Sequence, residues 1–157
     1  MQNSKIKKKI ITLIGPTACN KTSTAVHLIK KFPISIIGVD SVQIYKRFNI
    51  GSAKPPKEIL EKYKHHLVDS ADPENIFSVK DFYDQACRIV MQAHSNNRIP
   101  LLVGGTMMYF NALFKGINDI PEGNETTREE LQRELDNGGV DKLFNELKEI
   151  DPESAKT

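Results

Sequence analysis

The stretch Ile10-Ile11-Thr12-Leu13-Ile14-Gly15-Pro16-Thr17-Ala18-Cys19-Asn20-Lys21-Thr22 decides how this chain of 157 residues is read. An apolar run leads straight into a loop close to G-x-x-x-x-G-K-[ST]. In that pattern successive backbone N–H groups wrap a phosphate and a lysine adds a point charge. Gly15, Lys21 and Thr22 hold the first, seventh and eighth places, and Asn20 stands where the sixth is normally glycine. Asparagine enters the left-handed backbone region more readily than other large side chains, so the loop can still close, although its side chain crowds the phosphate path. The alternative is a strand ending in an ordinary Gly-Pro turn with Lys21 on a solvated helix start. The flanks argue against it. Residues 10–14 suit a strand buried on both faces. Ala25, Val26, Leu28 and Ile29 then set a helical pattern over residues 22–31, which aims a helix N-terminus at the loop.

Outward from the loop, strand and helix patterns alternate. Phe32-Pro33 stops the first helix, and residues 34–39 (ISIIGV) form a second apolar, β-branched run ending at Asp40. Residues 51–56 (GSAKPP) read as a loop, since two prolines remove donors, and a short helix is expected over 56–63. Ser78 can cap a helix running to about Asn96, with Asp81 at its third position. Val79, Phe82, Ala86, Ile89, Val90 and Ala93 line its apolar face. Residues 99–103 are a third strand, followed by Gly104-Gly105-Thr106 and a helix to about Lys115. This order implies parallel crossovers: an α/β fold with a P-loop nucleoside-triphosphate-hydrolase-like parallel sheet core, incomplete at about three strands, with its site at the strand carboxyl ends. From Pro121 the character changes. Thr126 and Glu129 form a capping box, Asn137-Gly138-Gly139 reads as a break, and a second helix spans 140–150. The expected organisation is therefore a partial core over 1–120 and the start of a helical insertion over 121–157.

Composition narrows the class. No apolar stretch is long enough to span a membrane, and the basic start lacks the apolar segment of a signal peptide. Two cysteines, Cys19 and Cys87, form no C-x-x-C and suggest no disulfide framework, so a reducing cytoplasm is the expected compartment. The net charge of +2 is unevenly spread. Residues 118–157 hold 12 acidic and 5 basic groups, against 8 and 17 in residues 1–117. A basic front part suits phosphate-rich ligands, nucleic acid included, though lysines also serve simply to solvate a surface.

Chemistry is expected at three strand ends. Asp40 follows a buried strand directly, where a carboxylate can take a proton or hold water on a metal. An Asp there also serves as a plain turn or cap residue, and the upstream phosphate loop favours the chemical role. Ser41 and Gln43 can donate and accept hydrogen bonds, and an amide can read an adenine edge. Thr106 presents a hydroxyl at the third strand's end, with a threonine cap as the alternative. His65 and His66 do not suggest a metal site, because adjacent residues in an extended segment point opposite ways.

These pieces in this order resemble the tRNA dimethylallyltransferase family, also called tRNA isopentenyltransferases or IPP transferases. The matching text is G-P-T-A-C-N-K-T at 15–22, D-S-V-Q-I-Y at 40–45, G-S-A-K-P at 51–55, H-H-L-V-D at 65–69 and G-G-T-x-x-Y at 104–109. The resemblance implies transfer of a dimethylallyl group from dimethylallyl diphosphate to the exocyclic N6 amine of the adenosine beside a tRNA anticodon. It implies that Gly15, Pro16, Thr17, Ala18, Cys19, Asn20, Lys21 and Thr22 hold the donor's diphosphate, with Thr22 reaching a Mg2+ cofactor. Asp40 would be the general base and Thr106 a second catalytic-site residue. Asp40, Ser41, Val42, Gln43, Thr106 and Arg128 would contact the tRNA anticodon stem-loop. A monomer without membrane attachment is the expected assembly, with complementation by a separately encoded C-terminal half left open. Two departures stand beside it: Asn20 in place of glycine, and an end at Thr157 ahead of the family's later arginine-bearing tRNA segment. The latter carries the expectation of an inactive or unstable fragment if the chain is a whole product. A small-molecule P-loop kinase using ATP and a non-enzymatic remnant are the competing readings.

Overall fold

The computed structural model describes residues 8–117 and 123–156. The chain forms two units, Met1–Ile117 and Asn118–Thr157. The boundary expected at 120/121 lies outside the described residues.

The first unit follows the expected alternation: β1 (Ile11–Ile14), α1 (Lys21–Ile29), β2 (Ile34–Val39), α2 (Lys57–Lys62), β3 (His65–His66), α3 (Val79–Ser95), β4 (Ile99–Gly104) and α4 (Met107–Lys115). All strands are parallel, in the order β1-β4-β2-β3. The sheet thus has four strands where about three were expected. The added one is the two-residue β3, in register with Ile36 and Ile37, too short to show a pattern in sequence. β4 inserts between β1 and β2, so the loops after β1, β2 and β4 emerge on one edge.

Side chains alternate across the two central strands and create two core layers. Ile37, Val39 and Leu102 pack with Phe82 and Ala86 of α3 and Tyr109 and Phe110 of α4. Ile34, Ile36 and Leu101 pack with Ala25 of α1 on the other face. Phe82 stacks on Tyr109 with ring centroids 4.0 Å apart. β2 is buried at all six positions. β1 is not, contrary to the expectation of a strand buried on both faces. It is an edge strand, and Ile11 and Ile14 are each 42% exposed. The α3 capping box forms as read: Asp81 N–H donates to Ser78 Oγ at 3.1 Å, and Ser78 N–H donates to Asp81 Oδ2 at 2.9 Å.

The second unit is α5 (Glu125–Ile150), bent at Gly139, then a short 3-10 turn at Ser154–Lys156. Two local expectations are corrected. The cap is Asn124, whose Oδ1 accepts from Thr127 N–H at 2.7 Å, which puts Thr126 inside the first turn. Asn places its acceptor one bond further out than Thr, and at position 124 it reaches the first free N–H groups before Thr126 can. The break is narrower than read: Asn137 and Gly138 stay helical, and only Gly139 leaves helical geometry, with φ 71 and ψ 175.

Candidate functional site

The phosphate loop closes between β1 and α1 in the way that Asn20 makes possible. Asn20 has φ 60 and ψ 24, in the left-handed region, and Ala18 has φ 65. Asn20's carbonyl accepts Thr24 N–H at 3.1 Å and Ser23 Oγ at 2.9 Å, so α1 starts firmly behind it. Lys21 folds back over the loop, and its Nζ donates to Gly15 O at 2.7 Å and Pro16 O at 2.5 Å. These carbonyls hold the ammonium at the loop mouth; an arriving anion has only to draw it away from neutral acceptors. Cys19 is exposed, with Sγ 3.7 Å from Lys21 Nζ.

Three strand ends converge on this loop. At Gly104 an added Cβ would lie 1.9 Å from Val39 O, so only glycine lets β4 end against β2. Gly105 and Thr106 N–H both donate to Val39 O at 3.2 Å, and Gly15 N–H donates to Gly104 O at 3.4 Å. Asp40, next after Val39, therefore stands beside the phosphate loop because of this close approach. Its Oδ1 accepts Val42 N–H at 2.9 Å and Gln43 N–H at 3.1 Å, while Oδ2 has no hydrogen-bond partner among the described residues. One oxygen of this side chain therefore builds the turn, as the turn reading of Asp40 expects.

Thr106 does not cap α4 with its side chain. Its Oγ1 accepts Ser41 N–H at 3.0 Å and donates to Ser41 Oγ at 3.4 Å, tying the β4 end to the Asp40 turn. Gln43 is likewise engaged: Nε2 donates to Ser52 O and Ala53 O, each at 3.1 Å. With both amide hydrogens spent, Gln43 can offer a ligand only its carbonyl oxygen.

The resulting cleft holds about 610 Å³. Residues 17–22 of the loop line one side, Asp40, Gln43, Ser52 and Ala53 another, and Val26, Pro56, Ile59 and Val103 supply apolar surface. His27 of α1 and Lys30 just after it also line the cleft, two cationic or polar groups that the sequence reading passed over. Gly15, Pro16, Ser41, Val42 and Thr106 are not among the lining residues, and Arg128 lies in the other unit, in the first turns of α5. A basic groove borders the cleft. It is lined by Lys46, Arg47, Lys54 and Lys57 and shares Pro56 with the cleft.

His65 and His66 sit away from these loops. His65 Nδ1 is 2.6 Å from Tyr63 O, which makes Nδ1 the protonated nitrogen of a neutral ring. Burial holds the His65 pKa below its ordinary value, against the opposing pull of that carbonyl. Burial also lowers that of His66, reinforced by Lys64, Arg98 and His65.

The family model described as IPP transferase matches residues 43–157. The chain belongs to this family. The phosphate loop precedes the matched span, but alignments to individual relatives include it. A tRNA dimethylallyltransferase of Dichelobacter nodosus is 43% identical over 146 residues, 93% of this chain and 46% of that protein. One from Vesicomyosocius okutanii is 43% identical over 150 residues, 96% and 49%. The tRNA isopentenylpyrophosphate transferase of Bacillus halodurans has a TM-score of 0.68 at 39% identity, over 96% of this chain and 50% of that one. A eukaryotic dimethylallyltransferase acting on tRNA has a TM-score of 0.76 at 29% identity, over 94% and 37%. The chain thus spans about half the length of the curated relatives it matches. The α/β, P-loop-like reading of the core agrees with these neighbours.

Proposed function

We propose that this chain carries the donor site and the general base of a tRNA dimethylallyltransferase. The observation that carries the reading is the single cleft in which a phosphate loop faces a free carboxylate oxygen across a small apolar lining. A prenyl diphosphate needs both halves of that arrangement, an anion cradle for its leaving group and an apolar wall for its five-carbon tail. The acceptor side matches an exocyclic adenine amine. That amine offers two N–H groups, and the cleft offers two acceptors, Asp40 Oδ2 and the Gln43 carbonyl oxygen.

In the reaction the amine nitrogen bonds to C1 of the dimethylallyl group as the C1–O bond to diphosphate breaks. The proton lost from nitrogen passes to Asp40, and the electron pair of the broken bond leaves on diphosphate. Lys21, drawn from Gly15 O and Pro16 O, and the loop N–H groups neutralise the growing charge. Thr106 and Ser41 hold the Asp40 turn in place. The adenosine would reach the cleft by leaving its loop stack, and Arg128 would be a further tRNA contact.

A divalent cation fits the donor set. Among the described residues no group of three or more His, Cys, Asp or Glu could hold a metal alone. Mg2+ commonly binds through one or two protein oxygens plus substrate phosphates, and the Thr22 hydroxyl at the cleft suits that habit. When bound, the metal would supply charge neutralisation on the diphosphate. Among the described residues no helix is long and apolar enough to cross a membrane. The enzyme would act on tRNA in the cytoplasm, as a monomer or with a complementing second half.

The test is competitive calorimetry on this chain with dimethylallyl diphosphate and ATP, followed by transfer of labelled dimethylallyl to an unmodified anticodon stem-loop. Preference for the prenyl diphosphate, and label transfer lost in Asp40→Ala, are expected. Tighter ATP binding with phosphoryl transfer to a small acceptor would replace the reading with a kinase.

A further inference from the structure

Two blocks of sequence that match the family, residues 51–55 and 65–69, contribute little or nothing to the phosphate side of the cleft, yet the structure joins them through one buried ammonium. The Lys54 side chain is 3% exposed. Its Nζ donates to Asp69 Oδ1 at 2.5 Å, to Tyr45 O at 2.8 Å and to Asn49 Oδ1 at 3.2 Å. A buried ammonium costs several kcal/mol unless its donors are satisfied, and here all three hydrogens have an acceptor. The acceptors come from three places: the segment after Asp40, the tip of the following loop, and the residues after β3.

Within the loop so gathered, Ser52 Oγ donates to Phe48 O at 2.7 Å and Asn49 N–H to Arg47 O at 3.0 Å, and its backbone is strained. Arg47, Gly51 and Ala53 all have positive φ, at 67, 75 and 51. Non-glycine residues in that region are strained and persist where the surroundings over-determine them. Lys54 follows Ala53 directly. Ser52 and Ala53 carbonyls are the two groups that fix the Gln43 amide, and Gln43 O accepts Asp69 N–H at 3.1 Å. A closed circuit results: Lys54 to Asp69, Asp69 to Gln43 backbone, Gln43 side chain to residues 52–53, and back to Lys54.

We propose that Lys54 is a positioning residue for the acceptor side of the cleft: held by Asp69, Tyr45 and Asn49, it places the Ser52–Ala53 carbonyls that turn Gln43's remaining oxygen toward the acceptor amine. Lys54 lines the bordering groove and not the cleft, so it acts through Gln43 without touching donor or acceptor. The phosphate loop shares none of these hydrogen bonds. The inference rests on the proposed acceptor role of Asp40 and Gln43, and its experiment separates the two.

The experiment compares this chain with its Lys54→Met variant, in which a methionine of similar reach fills the slot without charge. Three quantities are read: pyrophosphate affinity, affinity for an unmodified tRNA anticodon stem-loop, and the side-chain amide resonances of Gln43. Expected in the variant are pyrophosphate affinity within about twofold, stem-loop affinity lower by about tenfold or more, and Gln43 amide resonances moved to free-amide positions. A purely structural lysine would instead depress both affinities together. Unmoved Gln43 resonances with unchanged stem-loop affinity overturn the proposal. If Lys54→Met does not fold, Asp69→Asn keeps the Tyr45 and Asn49 acceptors and weakens only the charged one; a smaller shift of the same signals is expected, and none overturns the proposal. A wild-type chain that binds pyrophosphate but no stem-loop, with Gln43 still released in Lys54→Met, sinks the acceptor reading and leaves the placement of Gln43 by Lys54 standing.

Discussion

Residues 8–117 and residues 123–156 solve the folding problem in opposite ways. The first unit buries Phe82, Phe110, Ile36, Ile37 and Leu101 completely between a sheet and its helices. The second carries apolar side chains on its helix, Phe144 and Leu147 among them, yet no residue of that helix is buried. Those two side chains are 45% and 42% exposed. Periodicity states which face of a helix wants burial; only a partner surface turns that into stability. The described residues that line the cleft all belong to the first unit.

The sharpest way to break this comparison is to disturb equivalent positions on each side of it. Gly104→Ala should have the largest effect. Its Cβ would stand 1.9 Å from Val39 O, backbone against backbone, and the convergence of β4 on β2 would be lost. We expect several kcal/mol of destabilisation, about 3 or more, with diphosphate binding abolished. Chemical denaturation and pyrophosphate calorimetry measure both. Next comes the pair Phe82→Ala and Phe144→Ala, the same substitution in the two units. The first empties a fully buried, stacked site and should cost about 3–5 kcal/mol. The second should stay below about 1 kcal/mol. Equal losses would mean that Phe144 has a packing partner in solution and that the contrast is not real.

Lys21→Ala tests the site without touching the core. Charge-assisted hydrogen bonds contribute about 1.5–3 kcal/mol, so pyrophosphate affinity should fall roughly 10- to 100-fold. The unfolding midpoint should barely move, because Lys21 holds only two neutral loop carbonyls, one exposed and one part-buried. A large fall in stability would assign Lys21 to the fold.

Much of this was legible in advance, and the failures have physical causes. The phosphate loop, the buried second strand and the Ser78–Asp81 cap are local patterns, set by residues within a few positions of one another, and the structure repeats them. β3 left no pattern because two residues are too few for one. β1 looked buried on both faces because composition reports appetite for burial, and an edge strand with one neighbour cannot satisfy it. Candidate residues for the site could be named from the sequence, but their engagement could not. Nothing in D-S-V-Q says that Gln43 spends its amide hydrogens on Ser52 and Ala53, or that Thr106 holds Ser41. Those bonds join residues 9 to 65 positions apart. Lys54 is the clearest case: a lysine in a Pro-rich loop reads as solvent-exposed, and only the tertiary fold finds it three acceptors.

A pH scan sharpens the same division through charge. Both His65 and His66 titrate below their ordinary value of 6.5 in the folded chain. The unfolded chain therefore binds protons first as the pH falls. Their contribution is complete above the unfolded value and is lost progressively as pH drops through about 6.5 toward the folded values. Denaturant unfolding of the first unit at pH 7.5 and 5.5 should show lower stability at 5.5, with the slope reduced in His66→Asn. The second unit has no histidine, and its Asp151, held below the usual carboxylate range by Ser154, loses its contribution only under far more acidic conditions. Helicity of residues 123–156 should be flat across the same interval; a parallel loss there would tie the two units' stabilities together.

Gly139→Ala is the smallest expected effect and the most discriminating. At φ 71 and ψ 175 the residue occupies a region open essentially to glycine alone, and alanine forced into it would cost roughly 1–3 kcal/mol. That cost falls due only if something holds the bend. Nothing among the described residues lies within 4 Å of a Cβ built there, and no residue of α5 is buried. The cheaper response is for position 139 to adopt helical angles and join its two flanking helices into one, since alanine favours helix over glycine by about 1 kcal/mol. The variant should therefore gain far-ultraviolet helical signal while the core's unfolding transition stays where it was. A loss of helical signal, or a lowered core transition, would show that the bend is held by packing, and α5 would then have to be regarded as a docked element with a partner surface of its own.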